Sequence, residues 1–330
     1  MGLNEKFFKS AAVDDTPSFA PVLYTGNWNG SNTNTIEVGF RPDWIWIKRR
    51  DGADGHHLYD SVRGMGKPLY SNTTGAENAS NHVNTTSTGF TLVTDNVNQN
   101  GNLFIAWCWK AGGAASQNND GSITGANCLV SANQDAGFSI TKYTGNGISG
   151  ATFGHALGKQ VEISIVKNVG SSGYWYVYSN LLPTNNNLYL NTSDNKQADG
   201  VMLGGNSTTV SISASSAVNT NSGSYIAYNF ASIAGYQKIG TYTGTAGSFT
   251  VNTGFQPRFV MIKRVDAAGG NWVIIDEPRG SGSIRIYPNL SSEEHSGQGE
   301  SFSSTGFSPR PSSTAATNIS GATYLYLAIA

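Results

Sequence analysis

Gly39-Phe40-Arg41-Pro42-Asp43-Trp44-Ile45-Trp46-Ile47-Lys48 returns near the other end of the chain as Gly254-Phe255-Gln256-Pro257-Arg258-Phe259-Val260-Met261-Ile262-Lys263. In the first copy Trp44, Trp46 and Lys48 alternate with Ile45 and Ile47, so side chains point to two faces and both faces are largely apolar. That is the pattern of a central strand packed from two sides, as in a β-sandwich. A weaker third copy ends Ile163-Ser164-Ile165-Val166-Lys167, with Leu157-Gly158-Lys159 where the others have Phe, Arg or Gln, and Pro.

Working outward, further landmarks keep the same order. Tyr24-Thr25-Gly26 precedes the first copy, Tyr143-Thr144-Gly145 the second and Tyr242-Thr243-Gly244 the third. Asp60, Ser179 and Asp276 lie 12, 12 and 13 residues past Lys48, Lys167 and Lys263. Then come Leu69-Tyr70-Ser71-Asn72, Leu188-Tyr189-Leu190-Asn191 and Ile286-Tyr287-Pro288-Asn289. Each unit closes on a bulky strand: Leu103-Phe104-Ile105-Ala106-Trp107, Ser224-Tyr225-Ile226-Ala227-Tyr228 and Tyr324-Leu325-Tyr326-Leu327-Ala328. A shared order at near-constant spacing marks an internal repeat. Short apolar segments separated by Gly, Asn, Asp and Ser about every 8–12 residues mark all-β units. The expected organisation is an arm over 1–21, β-sandwich repeats over 22–112, 138–234 and 235–330, and a linker over 113–137 that follows Ala111-Gly112 and turns at Asn118-Asn119-Asp120-Gly121. The core of these units is predicted to hold Trp46, Ile105, Trp107, Val166, Ile226, Ile262 and Leu327.

Composition excludes several function classes. The 330 residues carry 20 Lys+Arg and 21 Asp+Glu, a net charge of -1, so no basic excess waits for phosphate backbones and nucleic acid is not an expected partner. No apolar run approaches the ~20 residues of a membrane-spanning helix. Met1-Gly2-Leu3-Asn4-Glu5-Lys6-Phe7-Phe8 lacks the apolar core of a signal peptide. The aromatic residues, 14 Phe, 15 Tyr and 7 Trp, suffice for several cores, so the low charge need not mean disorder.

No catalytic constellation stands out, no cofactor is called for and an enzyme is not expected. His56-His57 follow a loop, Asp51-Gly52-Ala53-Asp54-Gly55, that has carboxylates for a cation but not the spacing of a calcium loop. Lys48, Lys167 and Lys263 recur, as do Asp60 with Arg63 and Asp276 with Arg279, and these read as structural contacts. Acidic neighbours such as Glu293-Glu294 sit in polar loops without the facing arrangement of a glycosidase. Cys108 and Cys128 do not make a disulfide framework, and a bridge between them is left open. Aromatic residues in Gly/Asn-rich loops are the equipment of sugar binding: Trp28 in Asn27-Trp28-Asn29-Gly30 and Tyr174 after Gly170-Ser171-Ser172-Gly173 are the candidate glycan contacts, with Trp175 and Tyr176 beside the latter.

The Tyr-Thr-Gly triplets, the Gly-Phe to Lys segments, Asp60-Ser61-Val62-Arg63-Gly64, Ala106-Trp107-Cys108-Trp109-Lys110 and Asp120-Gly121-Ser122-Ile123 together resemble a family of repeat proteins found in marine tailed bacteriophages. The resemblance spans nearly the whole chain. It implies concanavalin-like or jelly-roll sandwich units in a virion structural protein, and it supplies no catalytic residues. The function expected is a non-enzymatic protein on the virion surface, a capsid decoration or accessory protein, with other virion proteins as partners. The alternative is a tail-fibre adhesin that recognises host surface glycan. A homo-oligomer is compatible with both. Coiled-coil heptads and collagen repeats, the shafts of fibres, are not found. The arm carries Phe7, Phe8 and Phe19, the expected anchor onto a partner subunit, with Lys6 and Lys9 flanking the first two.

Overall fold

The computed structural model describes residues 17–312 and 316–330. The chain is all-β and folds as sandwiches, each made of a large and a small antiparallel sheet. In the first unit the large sheet runs Phe19–Thr25, Leu103–Trp109, Trp44–Arg49, His56–Asp60, Leu69–Tyr70. The second unit has the same order over Phe138–Thr144, Ser224–Phe230, Ile163–Asn168, Tyr176–Ser179 and Leu188–Tyr189. The third has it over Gln237–Thr243, Thr323–Ile329, Phe259–Arg264 and Val273–Asp276. In each, the closing strand of the unit is inserted beside the strand that carries the repeated lysine, so both are central, as their two apolar faces require.

Each small sheet has three strands. They are Asn34–Glu37, Gly89–Leu92 and Val83–Thr85 in the first unit, Ala151–Gly154, Thr209–Ile212 and Met202–Gly205 in the second, and Val251–Asn252, Gly306–Ser308 and Ser301–Ser303 in the third. Each small sheet covers the outer face of its large sheet. Ile45, Ile47 and Tyr59 meet Ile36, Phe90 and Leu92 in one core; Val166 and Tyr225 meet Phe153 and Val210 in the next; Val260 and Ile262 meet Val251 and Phe307 in the last.

The inner faces do something the strand pattern alone did not specify. Trp44, Trp46 and Trp107 from the first sheet, Ile163, Ile165, Ile226 and Tyr228 from the second, and Phe259, Met261 and Leu327 from the third join one continuous core. Three sheets thus pack back to back in the middle, with a small sheet outside each. All seven predicted core residues are buried, none above 2% exposed. Large apolar side chains contribute about 1.5–3 kcal/mol each when removed from water, so the shared core helps to hold the units to one another.

The Tyr-Thr-Gly triplet is explained by a joint at the end of each large sheet. Tyr24, Tyr143 and Tyr242 donate their hydroxyls to the carbonyls of Val97, Val218 and Thr317, at 2.7, 2.8 and 2.7 Å. The glycine lies against the next turn: a Cβ on Gly26, Gly145 or Gly244 would stand 2.1, 2.4 or 2.2 Å from a backbone oxygen. Buried Asn98, Asn219 and Asn318 then accept from the backbone N–H of Asn27, Asn146 and Thr245.

The structure corrects three expectations. The arm ends before residue 21, because the strand Phe19–Thr25 pairs along its whole length with Leu103–Trp109. Phe19 is 1% exposed and packs on Trp109 and Phe259, ring centroids 4.9 and 5.5 Å away, so it is core and has no free face for a partner. Residues 113–137 are no linker: Ser116–Asn118 and Gly125–Asn133 extend the second unit's large sheet beyond Phe138–Thr144. Cys108 and Cys128 are both buried and free, in the outer cores of different units. Burial pushes both thiols up, Cys128 to about 11.

Candidate functional site

Most of the repeated polar residues are consumed by the joints between units. The first residue of the His56–Asp60 strand and the residues just before the two corresponding strands reach across to the neighbouring unit. Trp175 Nε1 donates to the Tyr70 carbonyl at 3.1 Å, and Trp272 Nε1 donates to the Tyr189 carbonyl at 2.8 Å. His56 Nε2 lies 3.1 Å from the Tyr287 carbonyl, which closes the ring. Trp46 Nε1 donates to His56 Nδ1 at 2.8 Å, so the imidazole carries its proton on Nε2 and is neutral. Burial first, and the neighbouring Lys48 charge second, hold its pKa well below the ordinary value.

The three lysines sit beside these joints, fully buried. Lys167 donates to the carbonyls of Thr74 in the first unit at 3.0 Å and Gly173 at 3.1 Å; Lys263 donates to Gly270 at 2.7 Å and Arg264 at 3.0 Å and reaches Ser193 of the second unit at 3.5 Å. Lys48 stays within its own unit, on the carbonyls of Arg49 and Gly52. Burial lowers all three to about 8.

The acid–arginine motif is a joint as well. Asp60 holds Arg63 at 2.5 Å and accepts from the Tyr228 hydroxyl of the second unit at 2.8 Å. Asp276 holds Arg279 at 2.8 Å and accepts from Trp107 Nε1 of the first unit at 2.9 Å. The middle unit has Ser179 and Leu182 at the matching positions, and the third unit's residue matching Trp107 and Tyr228 is Leu327, which is apolar. Acid, base and donor are thus lost together, because each alone would be a buried group without its partner.

A polar hollow lies outside this frame. A cleft of about 430 Å³ in the first unit is lined by Arg49, Asp54, His57, Tyr70, Asp95, Asn96 and Gln99. Its floor is set by the sheet: His57 stands opposite Tyr70 in register, their rings edge to face at 4.9 Å. His57 is 4% exposed, with Nε2 3.6 Å from the Asp54 carboxylate. Burial works against the charge of Asp54, but the His57 contact and the Gly55 N–H hold its pKa below the ordinary value. Asp51, paired with Asp54 in the sequence reading, points elsewhere. It binds Arg49 at 2.9 Å and the N–H of Leu103 at 3.1 Å, so the two carboxylates do not share a cation. Among the described residues no three His, Cys, Asp or Glu gather as a metal centre.

Trp28 is half-buried, and its backbone bridges to Gln99 on the rim of this cleft. Tyr174 is 45% exposed and stacks on Tyr189 at 4.7 Å, with Tyr176 edge-on to the same ring at 5.1 Å. Tyr189 also donates to Asp199 at 2.7 Å. Tyr176 and Tyr189 are the register equivalents of His57 and Tyr70, so the Tyr174 platform occupies in the second unit the place of the first unit's cleft. Phe7 and Phe8 lie outside the described residues. Sequence reasoning missed Arg49, Asp95, Asn96 and Gln99, since only the tertiary fold brings those segments to the histidine.

A family model described as Domain of unknown function (DUF7483) matches residues 14–330. The chain belongs to that family. The match takes in the strands of all three units and both the cleft and the tyrosine platform. No curated protein and no solved structure matches the chain.

Proposed function

We propose that the chain is a non-enzymatic structural protein carried on the outside of a bacteriophage virion, as a capsid decoration or accessory protein bound to other virion proteins. The observation that carries this reading is the ring of joints. Lys167, Lys263, the Asp–Arg pairs and His56 hold one unit against the next, which is how polar groups are used in a rigid building block. The segment before Phe19, with Phe7 and Phe8, remains the proposed anchor, its apolar groups gaining by burial in a partner. The test is labelling of the protein on purified particles, together with add-back of a chain lacking residues 1–16 to particles that lack the protein. Full occupancy by the shortened chain removes the anchor, and absence of label from particles removes the virion reading.

A second reading, a tail adhesin for host glycan, is favoured by the cleft beside Trp28 and by the Tyr174–Tyr189 platform. Blocking of adsorption by purified protein supports it, and unchanged adsorption counts against it.

A further inference from the structure

We propose that the cleft of the first unit is a saccharide-binding site, in which Asp54 and Asp95 accept from hydroxyls, Arg49, Asn96 and Gln99 donate to them, and Tyr70 offers its ring. The proposal deepens the second reading above and rests on it for biological meaning, while the binding itself is tested apart from any cell. The cleft's size falls in the range of small-molecule sites, roughly 300–1,000 Å³.

Arg49 and Asp54 are held in place before a ligand arrives. Arg49 is held by Asp51 at 2.9 Å and by Gln99 at 3.2 Å; Asp54 is held by the Gly55 N–H at 2.7 Å and by His57. Side chains already ordered lose little entropy on binding. They also keep capacity, since a carboxylate has about four lone-pair sites and a guanidinium five N–H groups. A sugar's hydroxyls both donate and accept, so they need acceptors and donors side by side, and the lining supplies both.

Other ligand classes fit worse. Most of the lining is polar, which disfavours a lipid or an aromatic ligand. Two carboxylates against one guanidinium disfavour a phosphate. The second unit gives independent support. At the equivalent register it carries Tyr176 and Tyr189, with exposed Tyr174 stacked on Tyr189 and Asp199 bonded to Tyr189. Acid and aromatic ring thus recur at one place in the fold through different residues.

The experiment is saturation-transfer NMR on the full chain with D-glucose, D-galactose, D-mannose, N-acetyl-D-glucosamine and N-acetylneuraminic acid as probes at millimolar concentration. At least one probe is expected to receive saturation from the protein. Asp54→Asn and Asp95→Ala are each expected to weaken it at least about tenfold, or roughly 1.4 kcal/mol. Lys238→Ala, at an exposed position on the Gln237–Thr243 strand of the third unit, leaves it unchanged. Asp95 is exposed, so its variant folds even if the Asp54 variant does not, and the thermal midpoint checks both. Transfer to no probe overturns the site, as does transfer that survives both substitutions or is lost only on Tyr174→Ala. None of these outcomes bears on whether the protein sits on a particle.

Discussion

At the scale of single residues, the middle unit shows a strain its neighbours avoid. Gly39 and Gly254 take positive φ, 86° and 87°, where the chain turns into the central strand. The matching residue of the middle unit is Ala156, held at φ 53°. A residue with a Cβ in this region costs about 1–2 kcal/mol, part of which glycine's greater unfolded-state entropy offsets. Ala156→Gly is therefore expected to raise stability by up to about 1 kcal/mol, read as the midpoint of denaturant unfolding. Gly244→Ala is expected to go the other way, because its Cβ would stand 2.2 Å from the Ile319 carbonyl and the Tyr242 joint must open. A neutral result at Gly244 would show that the turn shifts freely.

At the scale of elements, the Asp–Arg joints make a prediction about coupling. Removing one buried partner strands the other: Asp276→Ala is expected to cost about 3–5 kcal/mol. Replacing the set as the chain itself does at Ser179, Leu182 and Leu327 should cost much less. The triple variant Asp276→Ser, Arg279→Leu, Trp107→Leu tests this, with the remaining loss set by the smaller volume of leucine. If the triple variant loses as much as the summed single changes, the three residues are independent and the joint reading fails.

At the scale of the whole molecule, the shared core and the buried lysines each have a measurable consequence. Trp175, Ile165 and Tyr228 of the second unit face the other two sheets, so a chain of residues 113–234 alone would expose them. It is expected to aggregate or stay unfolded, whereas the full chain unfolds in one cooperative transition. A well-folded, monomeric fragment would contradict the common core. For the lysines, burial lowers the folded pKa to about 8 from the ordinary 10.5. Below about pH 8 both folded and unfolded states are charged and the burial penalty is fully felt. Above it the folded chain releases protons that the unfolded chain keeps, so stability rises with pH, by on the order of 1.4 kcal/mol per pH unit per lysine at most. The rise should end near pH 10, where tyrosines of the unfolded chain ionise while Tyr24, Tyr143 and Tyr242 stay neutral through burial. Unfolding midpoints from pH 7 to 10 check the sign, and Lys167→Met is expected to flatten the slope.

The sequence by itself determined the all-β class, the order of landmarks and the buried strands, because alternation, turn residues and repetition are local properties of the chain. It also placed Trp28 beside, and Tyr174 on, the surfaces that now carry the binding proposals. What only the tertiary structure decided is which strand faces which sheet. Trp44 and Ile45 read alike as apolar, but one faces the centre and the other its own small sheet. Phe19 looked free on an arm and proved to be core, because its burial depends on Phe259, far along the chain. The cleft was hidden for the same reason. Arg49, Tyr70 and Asn96 belong to separate segments, and no spacing in a one-dimensional string states the register that brings His57 opposite Tyr70.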